Sequence, residues 1–400
     1  MSNHIVAIDL GSSFIKGAVA QKDEQGMLRI LAVEQESSKG IKNGVVINPS
    51  EVSHLVKNII VKLQNRLRPI EFSKVYVGVN GNSIKTISNS ISFDFTKDTE
   101  LTESVLKEFY EKNEAYNSDE ISICDILPQE FLLDGEPETN PLNCMAKTMQ
   151  ANYKIVLGKK LLLDRICAVM ERIPLDIAGI FTAPPVTAEA LTTNADKELG
   201  CAVIDFGGET TSVCVYADNL IRHVAVIPFG GKTITRDISN IIGKTLSDAE
   251  EMKITQGGIL SALQNPNTEK LPQIIQARMN EIADFICIEI DKSGYYSKLR
   301  NGLIITGGSS ALDGIAELLN MKSGFDVRFA SYEHLLTEDV EQEYVCDNYA
   351  QLVGLLHFGT DECKGKKPDE MREIKVPKKG KGWLKKMGDG IVRNLFEDRA

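Results

Sequence analysis

Short apolar segments separated by glycine or asparagine turns make up most of the first eighty residues. Two of them, 4–10 and 14–20, flank Gly11-Ser12-Ser13 and predict a β-hairpin with a tight turn. The alternating segment 27–34 continues this sheet as a third strand. After Asn48-Pro49-Ser50 the apolar residues recur every three or four positions, which predicts a helix with Ser50 as its N-cap.

Strands and helices alternate again in the second half of the chain. Ser247 and Glu250 match the capping-box pattern, so we expect a helix over 247–256. Apolar segments predict strands at 75–79, 176–181, 201–216 (a second hairpin), 221–227 and 302–308. Amphipathic patterns predict helices at 161–170, 186–192, 233–242, 272–295, 310–319 and 350–356. This alternation is typical of an α/β protein.

The pattern changes between residues 83 and 165. Short strands are predicted at 121–127, 130–133 and 145–156, with one helix near 103–113. No glycine-rich turn that could face a phosphate occurs here. We therefore interpret this region as an inserted subdomain with its own small sheet.

The two predicted hairpins share a design. In each, an apolar strand ends in an aspartate, a glycine follows two residues later, and small hydroxyl residues come next; Asp9 and Asp205 are 196 residues apart. One such loop is a weak signal, because glycine turns are common in hairpins. Two copies and a third glycine loop at Gly307-Gly308 indicate a shared polyphosphate site, with each aspartate placed for a metal ion.

Composition narrows the class of protein. Four hundred residues exceed the size of one hydrophobic core, so two domains are expected. The net charge of −11 argues against nucleic-acid binding by the body. Eight scattered cysteines without a CxxC pair indicate reduced thiols. With no signal peptide and no membrane span in the pattern, we expect a cytoplasmic protein.

The end of the chain differs in charge from the rest. From Lys364 onward there are 12 Lys or Arg against 6 Asp or Glu, and 360–382 is too polar to fold, which predicts a flexible linker. Residues 383–400 predict an amphipathic helix that lies in a membrane interface; docking onto the body or a partner is the alternative. The membrane-facing side would carry Trp383, Leu384, Met387, Ile391, Val392, Leu395 and Phe396, and the basic side Lys385, Lys386 and Arg393.

Three motifs carry a resemblance to a known superfamily. Asp9–Lys16 and Asp205–Thr211 resemble the two phosphate motifs of the superfamily that unites actin, heat-shock chaperone ATPases and sugar kinases, and Ile304–Ser310 resembles its adenosine motif. Within it, the chain is similar to the FtsA family of bacterial cell-division proteins over essentially its whole length. The matching segments include Lys232–Asp237, Ser247–Lys253, Ile126–Glu130 and Asn140–Asn143.

The resemblance implies an α/β actin-like ATPase fold. Two related domains would surround a nucleotide cleft, with an inserted small α+β subdomain and a C-terminal amphipathic helix. The implied boundaries are 1–84 with 166–199 for the first core, 85–165 for the inserted subdomain, 200–232 with 301–359 for the second core, 233–300 for its outer subdomain, 360–382 for the linker and 383–400 for the membrane helix.

The resemblance also implies ATP and Mg²⁺ as cofactors. Asp9 and Asp205 would hold Mg²⁺, mostly through water. Glu250 and Lys253 would lie beside the ribose and adenine, although a solvated surface pair is the alternative. The full set of nucleotide-binding residues implied is Gly11, Ser12, Ser13, Lys16, Gly207, Gly208, Thr210, Thr211, Glu250, Lys253, Gly307, Gly308 and Ser309.

Two departures from the superfamily pattern point to slow chemistry. Glu209 stands where many relatives have a small residue and would repel a γ-phosphate unless its side chain points to solvent, as the hairpin alternation permits. Pro184 or Pro185 stands where a polar residue would orient the attacking water, and the nearest carboxylate is Glu189, a turn further on. We therefore predict tight ATP binding, no catalytic residue and at most weak ATPase activity.

By resemblance, the protein would polymerise and anchor the FtsZ ring to the cytoplasmic side of the cell membrane during septum formation. Its partners would be the FtsZ C-terminal tail, bound around 233–300, its own copies in filaments, anionic membrane lipids and other divisome proteins. An actin-like pilus-assembly protein is the alternative from the same superfamily. A small-molecule kinase is a weaker one, because no catalytic aspartate beside a sugar pocket stands out.

Overall fold

The computed structural model describes residues 3–265, 269–340, 344, 347–360 and 363. These residues fall into two compact units. Residues up to Asn82, together with those from Arg165 onward, form unit 1, and Ser83–Asp164 form unit 2. No described helix is both long and apolar enough to cross a bilayer.

The strands and helices are numbered in chain order. The strands are β1 Asn3–Leu10, β2 Phe14–Lys22, β3 Leu28–Ser37, β4 Ile41–Lys42, β5 Val45–Val46, β6 Lys74–Val79, β7 Lys85–Glu100, β8 Ile121–Leu133, β9 Glu136–Glu138, β10 Met145–Lys159, β11 Asp176–Thr182, β12 Cys201–Phe206, β13 Thr211–Ala217, β14 Leu220–Ile227, β15 Leu303–Thr306 and β16 Val327–Phe329. The helices are α1 Pro49–Arg66, α2 Glu103–Lys112, α3 Lys160–Met170, α4 Ala183–Leu191, α5 Asn194–Leu199, α6 Gly231–Ile242, α7 Leu246–Gln256, α8 Leu260–Gln264, α9 Lys270–Ser293, α10 Ile315–Ser323 and α11 Ala350–Phe358.

The first sheet of unit 1 has the order β11-β6-β1-β2-β3. Strands β1 and β2 are antiparallel, and their register places Asp9 opposite Lys16 next to the hairpin turn. Helix α1 buries its apolar stripe against this sheet. The packing is close, since a Cβ added to Gly17 would lie 2.5 Å from Ile59 and 2.8 Å from Ile8. The sheet thereby fixes the first glycine turn at one end of β1.

The second sheet of unit 1 contains β16-β15-β12-β13-β14. Strand β12 is antiparallel to β13 and parallel to β15, with Asp205 beside Ser212 on one side and Thr306 on the other. Because the carboxyl ends of parallel strands meet at one edge, the turns after β12 and β15 are neighbours. Helices α6, α9 and α10 cover the sheet with one continuous apolar core.

Two predicted helix caps are wrong. Asn48, not Ser50, caps α1: its side chain accepts a hydrogen bond from the Glu51 N–H at 3.3 Å, and Pro49 occupies the first helical position. Thr245, not Ser247, caps α7 by accepting from the Asp248 N–H at 3.1 Å. In both helices the cap lies two residues upstream of the predicted one, because a second good capping residue is present there.

Unit 2 is built on the antiparallel strands β7-β10-β8-β9, with α2 packed on its core. The sequence patterns did not indicate β7, whose sixteen residues are mostly polar and partly exposed. The two strands expected at 121–127 and 130–133 form the single strand β8. Pro128 is accommodated where the register with β10 shifts next to Tyr153, a position that tolerates the missing N–H donor.

The C-terminal predictions fall largely beyond this structure. The amphipathic segment 383–400 and most of the linker 360–382 lie outside the described residues. At the start of the linker, however, the Thr360 N–H donates to the Tyr76 hydroxyl at 3.1 Å and the Cys363 N–H donates to the His4 carbonyl at 2.8 Å. These two residues are therefore bonded to the first sheet of unit 1, and the flexible linker stays a prediction.

Candidate functional site

The glycine turns of both sheets open onto one cavity of about 500 Å³ in unit 1. That volume lies within the range of small-molecule and cofactor sites. Of the nucleotide and metal residues expected from the sequence, the cavity collects Asp9, Gly11, Ser12, Ser13, Lys16, Asp205, Gly207, Gly208, Thr210, Glu250, Lys253, Gly307, Gly308 and Ser309. Thr211 is the exception, since its buried hydroxyl donates to the Phe229 carbonyl at 2.9 Å.

The first turn places the carboxyl group of Asp9 close to the ammonium group of Lys16. Asp9 is buried at the end of β1 and accepts a hydrogen bond from Gln351 Nε2 at 2.8 Å. Burial raises the pKa of Asp9, and the charge of Lys16 opposes that rise. The Lys16 ammonium also donates to the Asn348 carbonyl and lies 5.7 Å from the Tyr349 ring centre. Lys16 thus lines the cavity beside Asp9.

A second carboxylate faces the first. Burial, and to a smaller extent the charge of Asp9, raise the pKa of Asp205 to about 6, while the charge of Lys16 opposes that rise. Asp9 and Asp205 therefore share one poorly solvated region in which two negative charges repel each other. A divalent cation held through water would relieve that repulsion, so the donor set fits Mg²⁺.

The two phosphate-type turns touch each other. A Cβ on Gly208 would collide with the Ser13 hydroxyl, and one on Gly230 would lie 2.5 Å from the Gly207 carbonyl oxygen. At Gly208 the close neighbour is the Ser13 side chain, so the first and second turns are in contact; at Gly230, the residue before α6, it is the backbone of the second turn, which only glycine can approach so closely. The resulting cluster of backbone N–H groups can surround a phosphate from two sides.

Glu250 and Lys253 are not a solvated surface pair. Lys253 is 7% exposed, and its ammonium donates to the Gly231 carbonyl at 3.1 Å, the Thr235 hydroxyl at 3.0 Å and the Glu250 carboxylate at 2.8 Å. Thr235 also donates to Glu250. The surface alternative considered for this pair is therefore wrong for Lys253, which joins α6 to α7 beside the cavity.

Glu209 does not point to solvent. Its side chain is 14% exposed; one carboxylate oxygen accepts from the Asn43 N–H at 2.6 Å and the other lies 3.6 Å from the Lys232 ammonium. The alternation of the hairpin permitted an outward side chain. The basic and N–H groups that hold it inward come from segments distant in sequence.

The carboxylate of Glu189 does not line the cavity and is bonded to other residues. Its carboxylate accepts from the Tyr216 hydroxyl at 2.6 Å and forms an ion pair with Lys197. Pro184 and Pro185 are buried in the first turn of α4. Among the described residues that line the cavity, the carboxylates are Asp9, Asp205 and Glu250.

The sequence is similar to those of known cell-division proteins. The sequence model of the family described as "Cell division protein FtsA" matches residues 202–354. FtsA from Neisseria meningitidis is 26% identical over 376 residues, covering 88% of this chain and 89% of the relative. FtsA from Borreliella burgdorferi is 25% identical over 410 residues, covering 96% and 98%.

The chain is similar in sequence to the FtsA cell-division proteins. Solved structures share its fold at lower identity. The "PilM-PilN type IV pilus biogenesis complex" gives a TM-score of 0.66 at 16% identity, covering 88% of this chain and 97% of that one. MreB5 of Spiroplasma citri bound to ADP gives 0.51 at 12% identity, covering 89% and 96%. The predicted α/β actin-like ATPase fold is confirmed.

The FtsA-type motifs missed several residues of the cavity wall. Lys232, Gln351 and Asn348 line it, as does Gly44. Lys232 could have been predicted as an anion-binding residue, because it directly follows the Gly230-Gly231 pair at the start of a helix. The Asn43-Gly44 pair is a strong hairpin signal, but nothing local placed that hairpin over the cavity.

Proposed function

We propose that this chain is an ATP-binding, actin-like cell-division protein in which the bound nucleotide sets the conformation. The observation that carries the proposal is the convergence of two aspartate-glycine turns, one from each sheet, on one cavity of about 500 Å³. N–H groups of the two turns and the Lys16 ammonium would bind the phosphates. Gly307, Gly308 and Ser309 would contact the nucleoside beside the Glu250–Lys253 pair.

Mg²⁺, when bound, would neutralise charge on the phosphates. Asp9 and Asp205 would hold it mostly through its water ligands, because Mg²⁺ gives up water reluctantly. MreB5, which shares the fold, binds ADP. A nucleotide with its metal is accordingly the ligand that best fits both the basic and the acidic groups of this cavity.

We expect hydrolysis to be slow. The water attacking a γ-phosphate needs a general base or an orienting group. Glu189 is bound to Tyr216 and Lys197, and Gln351 is bound to Asp9. Purified protein should therefore release phosphate at well under about one turnover per second, below the usual range of enzymes. A coupled phosphate assay that recorded several turnovers per second would contradict this.

For the cell, we propose that the protein polymerises and anchors the FtsZ ring to the cytoplasmic side of the membrane at the division site, together with other divisome proteins and anionic lipids. Its relatives carry the name of a cell-division protein, and this is the support for that role. Negative-stain microscopy on lipid monolayers with ATP and FtsZ tests it; filaments that recruit FtsZ are expected. Filaments that form without recruiting FtsZ would favour the pilus-assembly alternative.

The membrane anchor is proposed to be residues 383–400, on the sequence pattern alone. Trp383, Met387 and Ile391 would enter the interface, with basic residues facing anionic headgroups. Met387→Glu with Ile391→Glu is expected to abolish flotation with anionic liposomes. Lys366→Gln with Lys367→Gln, upstream in the proposed linker, is the control and should retain flotation. Flotation that survived the Glu substitutions would disprove the anchor.

A further inference from the structure

Glu209 connects the two phosphate-type turns to a third segment. It follows Gly207-Gly208 in the turn of the second sheet, yet its carboxylate accepts the N–H of Asn43, in the turn between β4 and β5, at 2.6 Å. A backbone N–H donated to a carboxylate at this length is a charge-assisted hydrogen bond, stronger than a neutral one. The contact therefore fastens residues 166 positions apart in the chain.

The Asn43 side of this contact is a tight turn. Asn43 and Gly44, between β4 and β5, have φ values of 49° and 74°, so both are left-handed. Two successive left-handed residues are typical of a type I′ hairpin turn, which fixes the direction of the Asn43 N–H. The Gly44 N–H donates to the Ser12 hydroxyl at 3.0 Å. This turn is thus bonded to both phosphate-type turns at once.

Lys232 forms a second connection beside the first. Its ammonium donates to the Ser12 carbonyl at 2.7 Å and lies 3.6 Å from Glu209, while its own N–H donates to the Gly208 carbonyl at 2.7 Å. The acid and the lysine therefore both extend from the segments around the second sheet, Glu209 to Asn43 and Lys232 to Ser12. Both contacts lie at the end of the cavity where the phosphate-type turns meet.

An ordinary surface ion pair would not account for this arrangement. Such pairs are solvated and contribute little. Glu209 is 14% exposed, and its shorter contact is to the backbone N–H of Asn43, whose position is fixed by the turn between β4 and β5. When the sheets separate, this hydrogen bond must break.

We propose that Glu209 is a clasp at the phosphate end of the cavity, which must open before a nucleotide leaves. The clasp slows nucleotide exchange and is a positioning device that requires no contact with the nucleotide. It rests on the proposed nucleotide binding for its functional consequence, whereas the hydrogen bond between Glu209 and Asn43 is itself part of the structure.

Two measurements on the full-length protein test the clasp separately. Site-resolved hydrogen exchange without nucleotide should show the Asn43 amide exchanging about tenfold faster in Glu209→Ala, because a charge-assisted hydrogen bond is lost. Stopped-flow release of a fluorescent ATP analogue in Mg²⁺ should accelerate by about the same factor. Glu198→Ala, an exposed glutamate on α5, should match the wild type in both measurements.

Glu209→Asp distinguishes the effect of the side chain's length from the effect of its negative charge. It keeps the charge but is one methylene shorter, so it should resemble Glu209→Ala if the clasp acts through contact. The proposal would be overturned if Glu209→Asp showed wild-type rates of Asn43 exchange and analogue release. It would also be overturned if Glu209→Ala released the analogue more slowly than the wild type, or if its Asn43 amide exchanged at the wild-type rate. If the wild type fails to bind the ATP analogue, the proposed function fails, while the exchange of Asn43 still decides the clasp.

Discussion

Replacing Asp205 by Asn is expected to stabilise the nucleotide-free protein while it destroys Mg²⁺-dependent ATP binding. The pKa of Asp205 is raised to about 6 by burial and by Asp9, so its ionised form destabilises the folded state at neutral pH. A neutral amide of the same shape removes that charge. The gain in unfolding free energy should be about 1–3 kcal/mol near neutral pH, at 1.36 kcal/mol per pKa unit.

The stability gained by Asp205→Asn should depend on pH in one direction. A raised acid pKa means that the destabilisation is present above the folded value of about 6 and disappears below the unfolded value, near 3.8. The advantage of Asp205→Asn should therefore be smaller at about pH 5 than at about pH 7.5. Denaturant unfolding at both pH values measures it, with the exposed Asp98→Asn as the unchanged control.

ATP affinity should respond in the opposite direction. In Mg²⁺, we expect binding to weaken by about 100-fold or more, since one of two carboxylates that hold the metal's water shell is gone. Titration calorimetry provides the measurement. A variant that is less stable than the wild type at neutral pH, or that binds ATP–Mg²⁺ equally well, would contradict this account of the two aspartates.

Gly307→Ala is expected to have the largest effect on stability. Gly307 has a φ of 89°, and an added Cβ would collide with the Asp205 carboxylate and lie 2.6 Å from the Phe206 carbonyl oxygen. Neither backbone can move away, because β12 and β15 are paired there. We expect a loss of about 3 kcal/mol or more, from the strained φ and the overpacking together.

A matched glycine separates these two causes. Gly243 ends α6 at a φ of 76°, and its added Cβ would meet nothing within 4 Å. Gly243→Ala should cost only the conformational part, about 1 kcal/mol. Equal losses in the two variants would show that the contact between Gly307 and Asp205 is unimportant. Chemical denaturation of both variants under one condition gives the comparison.

Much of the cavity could be predicted because its parts are local in sequence. A strand, an aspartate and a glycine turn at Asp9 recur at Asp205, and backbone N–H groups in such turns can face an anion. Parallel pairing of β12 with β15 then explains why Gly307 joins the second turn. These features follow from short-range geometry and the rules of sheet topology.

The remaining parts depend on contacts between distant segments. Gln351 bonds to Asp9 across 342 positions, and the inward position of Glu209 depends on Asn43 and Lys232. No local pattern contains that information. Strand β7 was missed for a related reason: its mostly polar residues are held by pairing with β10, so tertiary context overrides its pattern.

Hydrogen exchange with and without ATP–Mg²⁺ tests the central claim most directly. If the nucleotide lies between the two turns, amides in residues 10–16 and in residues 207–213 should become protected together, at the same ATP concentration. The same ligand should leave residues 145–157 of unit 2 unchanged. Protection of only one turn, or of neither at saturating ATP, would contradict a shared phosphate site.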